Sequence, residues 1–212
     1  MRPLPLIRSR AVTGMLALCL AIPAAADASK GGSSSSTAPS PQGCTSIQKS
    51  VTPFVPWGDL ASYGLLPGGS FESTAGWTLV SAAPIAGNEP WNANSRTDAT
   101  SLSVLPGGSA TSSLFCATVT MPTVRFFART SDTGASMRVD VIYTNVGGSI
   151  SSLQIGTVAG TTSWSPTPAM LLIANLLGFA SDNGTAPLAL RLTATKGSWQ
   201  IDDIYIDPFR KG

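Results

Sequence analysis

Apolar residues alternate with polar ones in short runs along most of this chain, and turn signals separate the runs. Leu188-Ala189-Leu190-Arg191-Leu192-Thr193-Ala194 is the cleanest example of a period of two, the signature of a half-buried β-strand. Thr78–Val80, Ser101–Val104, Ser113–Val119, Val124–Arg129 and Met137–Tyr143 read the same way. Between them lie Pro67-Gly68-Gly69, Gly87-Asn88, Pro106-Gly107-Gly108, Asp132-Thr133-Gly134, Gly147-Gly148, Asp182-Asn183-Gly184 and Lys196-Gly197, each a turn by residue type. The short turn between Val124–Arg129 and Met137–Tyr143 predicts a hairpin. The pentapeptide Leu-Pro-Gly-Gly-Ser occurs at 66–70 and again at 105–109, and its flanks differ, so it reads as one turn used twice. Ala169–Ala180 is almost continuously apolar, and a strand over Ala169–Ala174 with an irregular continuation is expected there. Many short strands with Gly/Pro turns predict an all-β fold, a two-sheet sandwich or a barrel.

The last strand departs from the pattern. Trp199-Gln200-Ile201-Asp202-Asp203-Ile204-Tyr205-Ile206 has strand-forming aromatics and β-branched residues, yet two adjacent acids stand in its middle. Burial there requires a cation, a donor cluster or water to compensate the charge. Neighbouring residues point to opposite faces of a strand, so a bulge is needed if both acids are to act at one place.

The amino terminus sets the compartment. Arg2, Arg8 and Arg10 precede an apolar core, Val12–Ile22, followed by small residues with Ala26 and Ala28 at cleavage positions. This is the form of a secretory signal peptide over 1–28; the apolar core falls well short of the roughly 20 residues that span a bilayer. Residues 29–43 are rich in Ser, Gly and Pro and read as a flexible linker. The expected domain is then 44–209, a normal size for one domain. Loss of Arg2, Arg8, Arg10 and Asp27 leaves ten of the 13 basic and ten of the 11 acidic residues. A net charge near zero gives no bulk attraction for nucleic acid or an anionic membrane. Cys44 and Cys116 remain in an oxidising compartment, where a single bridge or two buried thiols are the alternatives.

Histidine is absent from the chain, which excludes Ser-His-Asp, Cys-His and histidine-zinc chemistry. Glu72 and Glu89 are the sole glutamates. Glu89 lies in Gly87-Asn88-Glu89-Pro90-Trp91, the best place for either a catalytic carboxylate or a ligand contact through Trp91; recognition or packing is the commoner use of such a pair. Alternation puts Arg125, Phe127 and Arg129 on one face of their strand, Arg138 and Asp140 on one face of the next, and Arg191 opposite the leucines of 188–194. If these faces share a sheet they form either a solvated surface of cross-strand ion pairs or a platform for sugar.

Phe71-Glu72 with Gly76-Trp77, and the closing Trp199-x-Ile201-Asp202-Asp203-Ile204, resemble the two ends of the jelly-roll, galactose-binding-like carbohydrate-binding modules attached to bacterial glycanases. The resemblance covers both ends of the domain; the approach segment, Cys44–Gly64, has no counterpart in it. It implies that the first and last strands lie together. It also implies that Glu72 and Asp202 or Asp203 hold a structural Ca²⁺ with backbone carbonyls; such oxygens suit a hard cation. The implied protein is a secreted, non-catalytic carbohydrate-binding module with a glycan partner, whose ligand-contacting side chains are Arg125, Phe127, Arg138, Arg191, Glu89 and Trp91. The alternatives are a secreted structural or surface-interaction sandwich with a protein partner, and a glycan-cleaving enzyme using the Glu89 loop.

Overall fold

Two central strands organise the molecule, each with one long neighbour on one side and, on the other, a short strand end to end with part of a long strand that both share. The computed structural model describes residues 43–47, 50–145, 147–180 and 184–207; the expected leader, nearly all of the linker and the final residues lie outside them. The strands are β1 (Thr45–Ser46), β2 (Ser50–Val51), β3 (Tyr63–Leu65), β4 (Thr78–Ala86), β5 (Thr100–Thr111), β6 (Phe115–Thr118), β7 (Thr123–Thr130), β8 (Ser136–Thr144), β9 (Ile150–Ala159), β10 (Ser165–Pro166), β11 (Met170–Leu171), β12 (Thr185–Lys196) and β13 (Trp199–Ile206). The apolar stretch after 169 forms β11 and then a 3-10 run, Ile173–Ala180.

In the first sheet β12 is flanked along its length by β8, which carries β9 on its outer edge. On its other side β12 meets β6 and then the far end of β5; β1 adds to β6 in parallel. In the second sheet β13 is flanked by β7, whose other edge takes β10 and β11. The opposite side of β13 meets the near end of β5 and then β3, which carries β2 on its outer edge. The β4–β5 hairpin runs through both sheets. Its register breaks between Val80 and Ala82, where Ser81 takes φ 48°, and a Cβ on the facing Gly108 would stand 2.7 Å from the Ser81 carbonyl oxygen. That close approach lets the hairpin bend from one layer into the other. The result is the expected two-sheet β-sandwich, a jelly roll.

Side chains from both inner faces fill one core. Val124, Phe126, Ala128, Trp199, Ile201 and Ile204 come from the second sheet; Met137, Val139, Val141, Leu188, Leu190 and Leu192 come from the first. A fully buried aliphatic or aromatic side chain contributes about 1.5–3 kcal/mol, so this cluster is the main source of stability. Cys44 and Cys116 are bridged, fastening the approach segment to β6.

The expected β7–β8 hairpin does not form. β7 bonds to β13 and β8 to β12, and β7 and β8 do not pair. The turn at 131–135 instead carries the chain across the core, so that the apolar faces of β7 and β8 look at each other. The β12–β13 connection makes the same crossing, and the two arches are stapled: Thr130 Oγ1 donates to the Ser198 carbonyl and the Ser198 amide donates to Asp132 Oδ2. Period-two alternation is identical for a hairpin and an arch, which is why the pattern did not separate them.

Candidate functional site

The outer face of the second sheet carries three successive cross-strand rows. β7 presents Arg125, Phe127 and Arg129 there, opposite Tyr205, Asp202 and Gln200 of β13. Same-face residues on one strand stand about 7 Å apart, so the rows are contiguous.

The first row is sealed. Phe54 and Tyr63, from the approach segment, pack on Phe127 and Tyr205 as a second apolar cluster, with Phe54 centroids 4.9 Å from Tyr63 and 5.3 Å from Phe127. The Arg125 guanidinium lies 4.2 Å over the Phe54 ring and 2.6 Å from Asp59 Oδ2. Burial raises the Asp59 carboxyl, but donors from Tyr63, Ala61 and Arg125 outweigh it and hold the group below its ordinary value. Burial and the Asp59 charge push the Tyr63 hydroxyl up to about 12. Arg125 and Phe127 are therefore packed structural residues, covered by the segment that had no counterpart in the resemblance.

The second row is acidic. The register shift between Asp202 and Tyr205 is the required bulge, with Asp203 at φ 46°. Asp202 and Asp203 are both buried and bond to the loop that links β4 to β5. Asp202 Oδ2 accepts the Glu89 amide, and Asp203 Oδ2 accepts the Asn94 amide and the Tyr205 hydroxyl. Glu89, 1% exposed, accepts the amides of Trp91 and Ala93. Burial and then the Asp203 charge push Asp202 up to about 8; burial, then Asp98 and Glu89, push Asp203 up to about 7. Among the described residues no ion pair reaches this cluster, and Asp203 Oδ1 is buried without a partner.

Glu72 stands apart from that pair in its bonding. It is exposed, and its Oε1 accepts from the Ala99 amide and from the amide and hydroxyl of Thr100; burial raises its carboxyl, but these donors together outweigh it and hold the group below its ordinary value. Among the described residues no three His, Cys, Asp or Glu side chains are arranged to hold a metal ion. The orphan oxygen of Asp203 and the absence of a paired cation among the described residues fit a hard cation at Asp202 and Asp203; at Glu72, Oε1 is engaged by the Ala99–Thr100 segment.

The third row opens to solvent. Arg129 and Gln200 form the floor of a groove of about 230 Å³ with Ser103, Thr130, Ser131, Thr162, Ser198 and Trp199. Arg129 Nε donates to Gln200 Oε1, and its guanidinium lies 5.1 Å from the Trp164 ring centroid. One row away, Trp57 and Trp91 meet edge to face at 4.6 Å, both against Phe127 and both partly exposed.

The residues expected to share one ligand platform do not. Arg138 and Arg191 lie on the outer face of the first sheet, where both reach Asp140 at 2.9 and 3.7 Å. Arg125 and Phe127 belong to the second sheet and are covered. Glu89 is buried in its loop. Trp91 alone of the six combines the expected face with exposure and freedom from an ion pair. Ser103, Trp164 and Gln200 carried no sequence signal, because their meeting depends on which strands pair; alternation did place Arg129 on the face of Arg125 and Phe127, but nothing in the sequence set it apart as the open end of that face.

No protein-family model matches this chain, and no curated protein matches it. Solved structures do. The chain is similar to a Clostridium thermocellum xylanase fragment that joins a CBM22 module to a GH10 module, complexed with xylohexaose, at 15% identity and TM-score 0.45 over 65% of this chain and 26% of that one. It is similar to the CBM22-2 xylan-binding domain of a Paenibacillus barcinonensis xylanase, at 8% identity and TM-score 0.46 over 65% and 94%. It is also similar to a family 11 carbohydrate-binding module of Clostridium thermocellum, at 10% identity and TM-score 0.41 over 65% and 91%. At such identities and scores the likeness says nothing of this chain's ligand.

Proposed function

We propose that this chain is a secreted, non-catalytic carbohydrate-binding module that takes a glycan on the outer face of its second sheet. The observation that carries the reading is the Arg129–Gln200 groove. A guanidinium, a carboxamide and several hydroxyls line one open cleft beside an indole, the donor and acceptor set that a polyhydroxylated ligand needs. The sequence resemblance at both ends of the domain supports the same class, and the amino-terminal pattern supports export. Glu89 supports a binding role over hydrolysis: both of its oxygens are engaged by backbone amides and it does not face the groove.

A structural Ca²⁺ belongs to this reading, held by Asp202 and Asp203. Bound there, it supplies positive charge to a buried pair that otherwise repels itself and the neighbouring Glu89 and Asp98.

The test is co-sedimentation with insoluble polysaccharides and a glycan array. Retention of the mature protein, weakened by Arg129→Ala and unaffected by Arg191→Ala, is expected. Absence of retention on every glycan contradicts the reading, and reducing-sugar release that vanishes in Glu89→Gln would replace it with an enzyme. The alternative of a protein partner is favoured by one observation, the exposed Val55, Trp57, Leu60 and Trp91 around the approach segment; a Trp57→Ala variant that binds glycan normally but loses a partner would select it.

A further inference from the structure

The groove holds one charged side chain. Arg129 is the sole acid or base among the lining residues, and the three ion pairs among the described residues use Arg125, Arg138 and Arg191. The acid on the flanking turn, Asp132, gives one oxygen to the Ser198 amide and the other to the Ser131 hydroxyl, and forms no pair with Arg129. The guanidinium is nevertheless fixed. Gln200 holds Nε, the Trp164 ring lies beside the carbon, and Nη1 and Nη2 have no hydrogen-bond partner among the described residues. The hydroxyls of Ser103, Thr162 and Ser198 line the same groove, also without a hydrogen-bonded protein partner among the described residues.

A neutral sugar can be met by hydroxyls and amides alone. A cation held in place with its two-pronged edge free is matched to a planar anion, because two parallel N–H···O bonds form with no rearrangement. We infer that the groove recognises the carboxylate of a uronic-acid residue in an acidic polysaccharide. Arg129 Nη1 and Nη2 donate to its two oxygens, and the hydroxyls of Ser103, Thr162 and Ser198 meet the ring hydroxyls. This rests on the glycan reading and names its ligand class.

Affinity of the mature protein is measured at low salt for polygalacturonate, for the same polymer methyl-esterified, for dextran sulfate, and for neutral xylan and galactan. The uronate polymer should bind about 10–100-fold more tightly than its ester, the range expected of hydrogen bonds to a charged group. Arg129→Gln should erase that ratio, Arg129→Lys should restore only part of it, and added salt should compress it. Equal affinity for polymer and ester overturns the inference, and this comparison on the unaltered chain decides even if a variant fails to fold. Preference for dextran sulfate over polygalacturonate overturns the carboxylate assignment. Binding of xylan or galactan with no gain from uronate sinks this inference and leaves the glycan reading standing; binding to none of the polymers sinks both.

Discussion

Single side chains on the second sheet do separable jobs. Arg125 and Asp59 fasten the approach segment; their side chains are 12% and 25% exposed. Removing one partner of a largely buried pair leaves the other charge uncompensated. Asp59→Ala should therefore cost about 2–3 kcal/mol in urea unfolding, whereas Arg138→Ala, which removes a 41% exposed side chain and leaves Arg191 beside the buried Asp140, should cost less than about 1 kcal/mol. Equal losses would mean that the approach segment is not held as described. The acids of the last strand were visible in the sequence as an anomaly needing a bulge and a counter-charge. Their actual contacts were not, because Glu89 and Asn94 reach them from over a hundred positions away.

Among elements, the two stacked arches decide which strand joins which sheet. Gly197 sits in the tighter one at φ 74°, and a Cβ there would stand 2.7 Å from Ala135 Cβ. Gly197→Ala should destabilise by about 1–3 kcal/mol, and Gly148→Ala, with open space around it, by less. Comparison of their melting temperatures checks this. Strand positions were legible because alternation is local. Partner choice was not, because it is fixed by arches whose signal is one Asp and one Gly. The twin Leu-Pro-Gly-Gly-Ser runs show the same limit: Gly68 and Gly107 both take left-handed conformations, φ 68° and 77°, yet the first closes a turn and the second lies within β5 where the hairpin changes sheets.

For the molecule as a whole, the buried acid pair links stability to pH and to cations. Both carboxyls are raised in the fold, to about 8 and about 7 from an ordinary 3.8, so ionising them opposes folding. Their stabilising effect is complete below pH ~4, where folded and unfolded chains are both protonated, and is lost as pH rises through 7 to 8. In EDTA the melting temperature should fall between pH 5 and pH 8, and Ca²⁺ should restore it at pH 8. Asp203→Asn should flatten the pH profile and abolish the Ca²⁺ response. A melting temperature indifferent to EDTA and Ca²⁺ at pH 8 removes the cation from the account. Reduction of the Cys44–Cys116 bridge should cost about 3–4 kcal/mol, read by denaturation with and without reductant. The paired cysteines were legible from composition and compartment. The covered first row was not, since the approach segment carries no strand pattern and its Phe54 gives no hint of which face it seals.

Hydrogen–deuterium exchange with and without the polysaccharide that the protein retains tests the location of binding most directly. Protection confined to peptides spanning 128–131, 162–164 and 198–200 is the predicted result. Protection over 138–142 and 189–193, on the outer face of the other sheet, would contradict it.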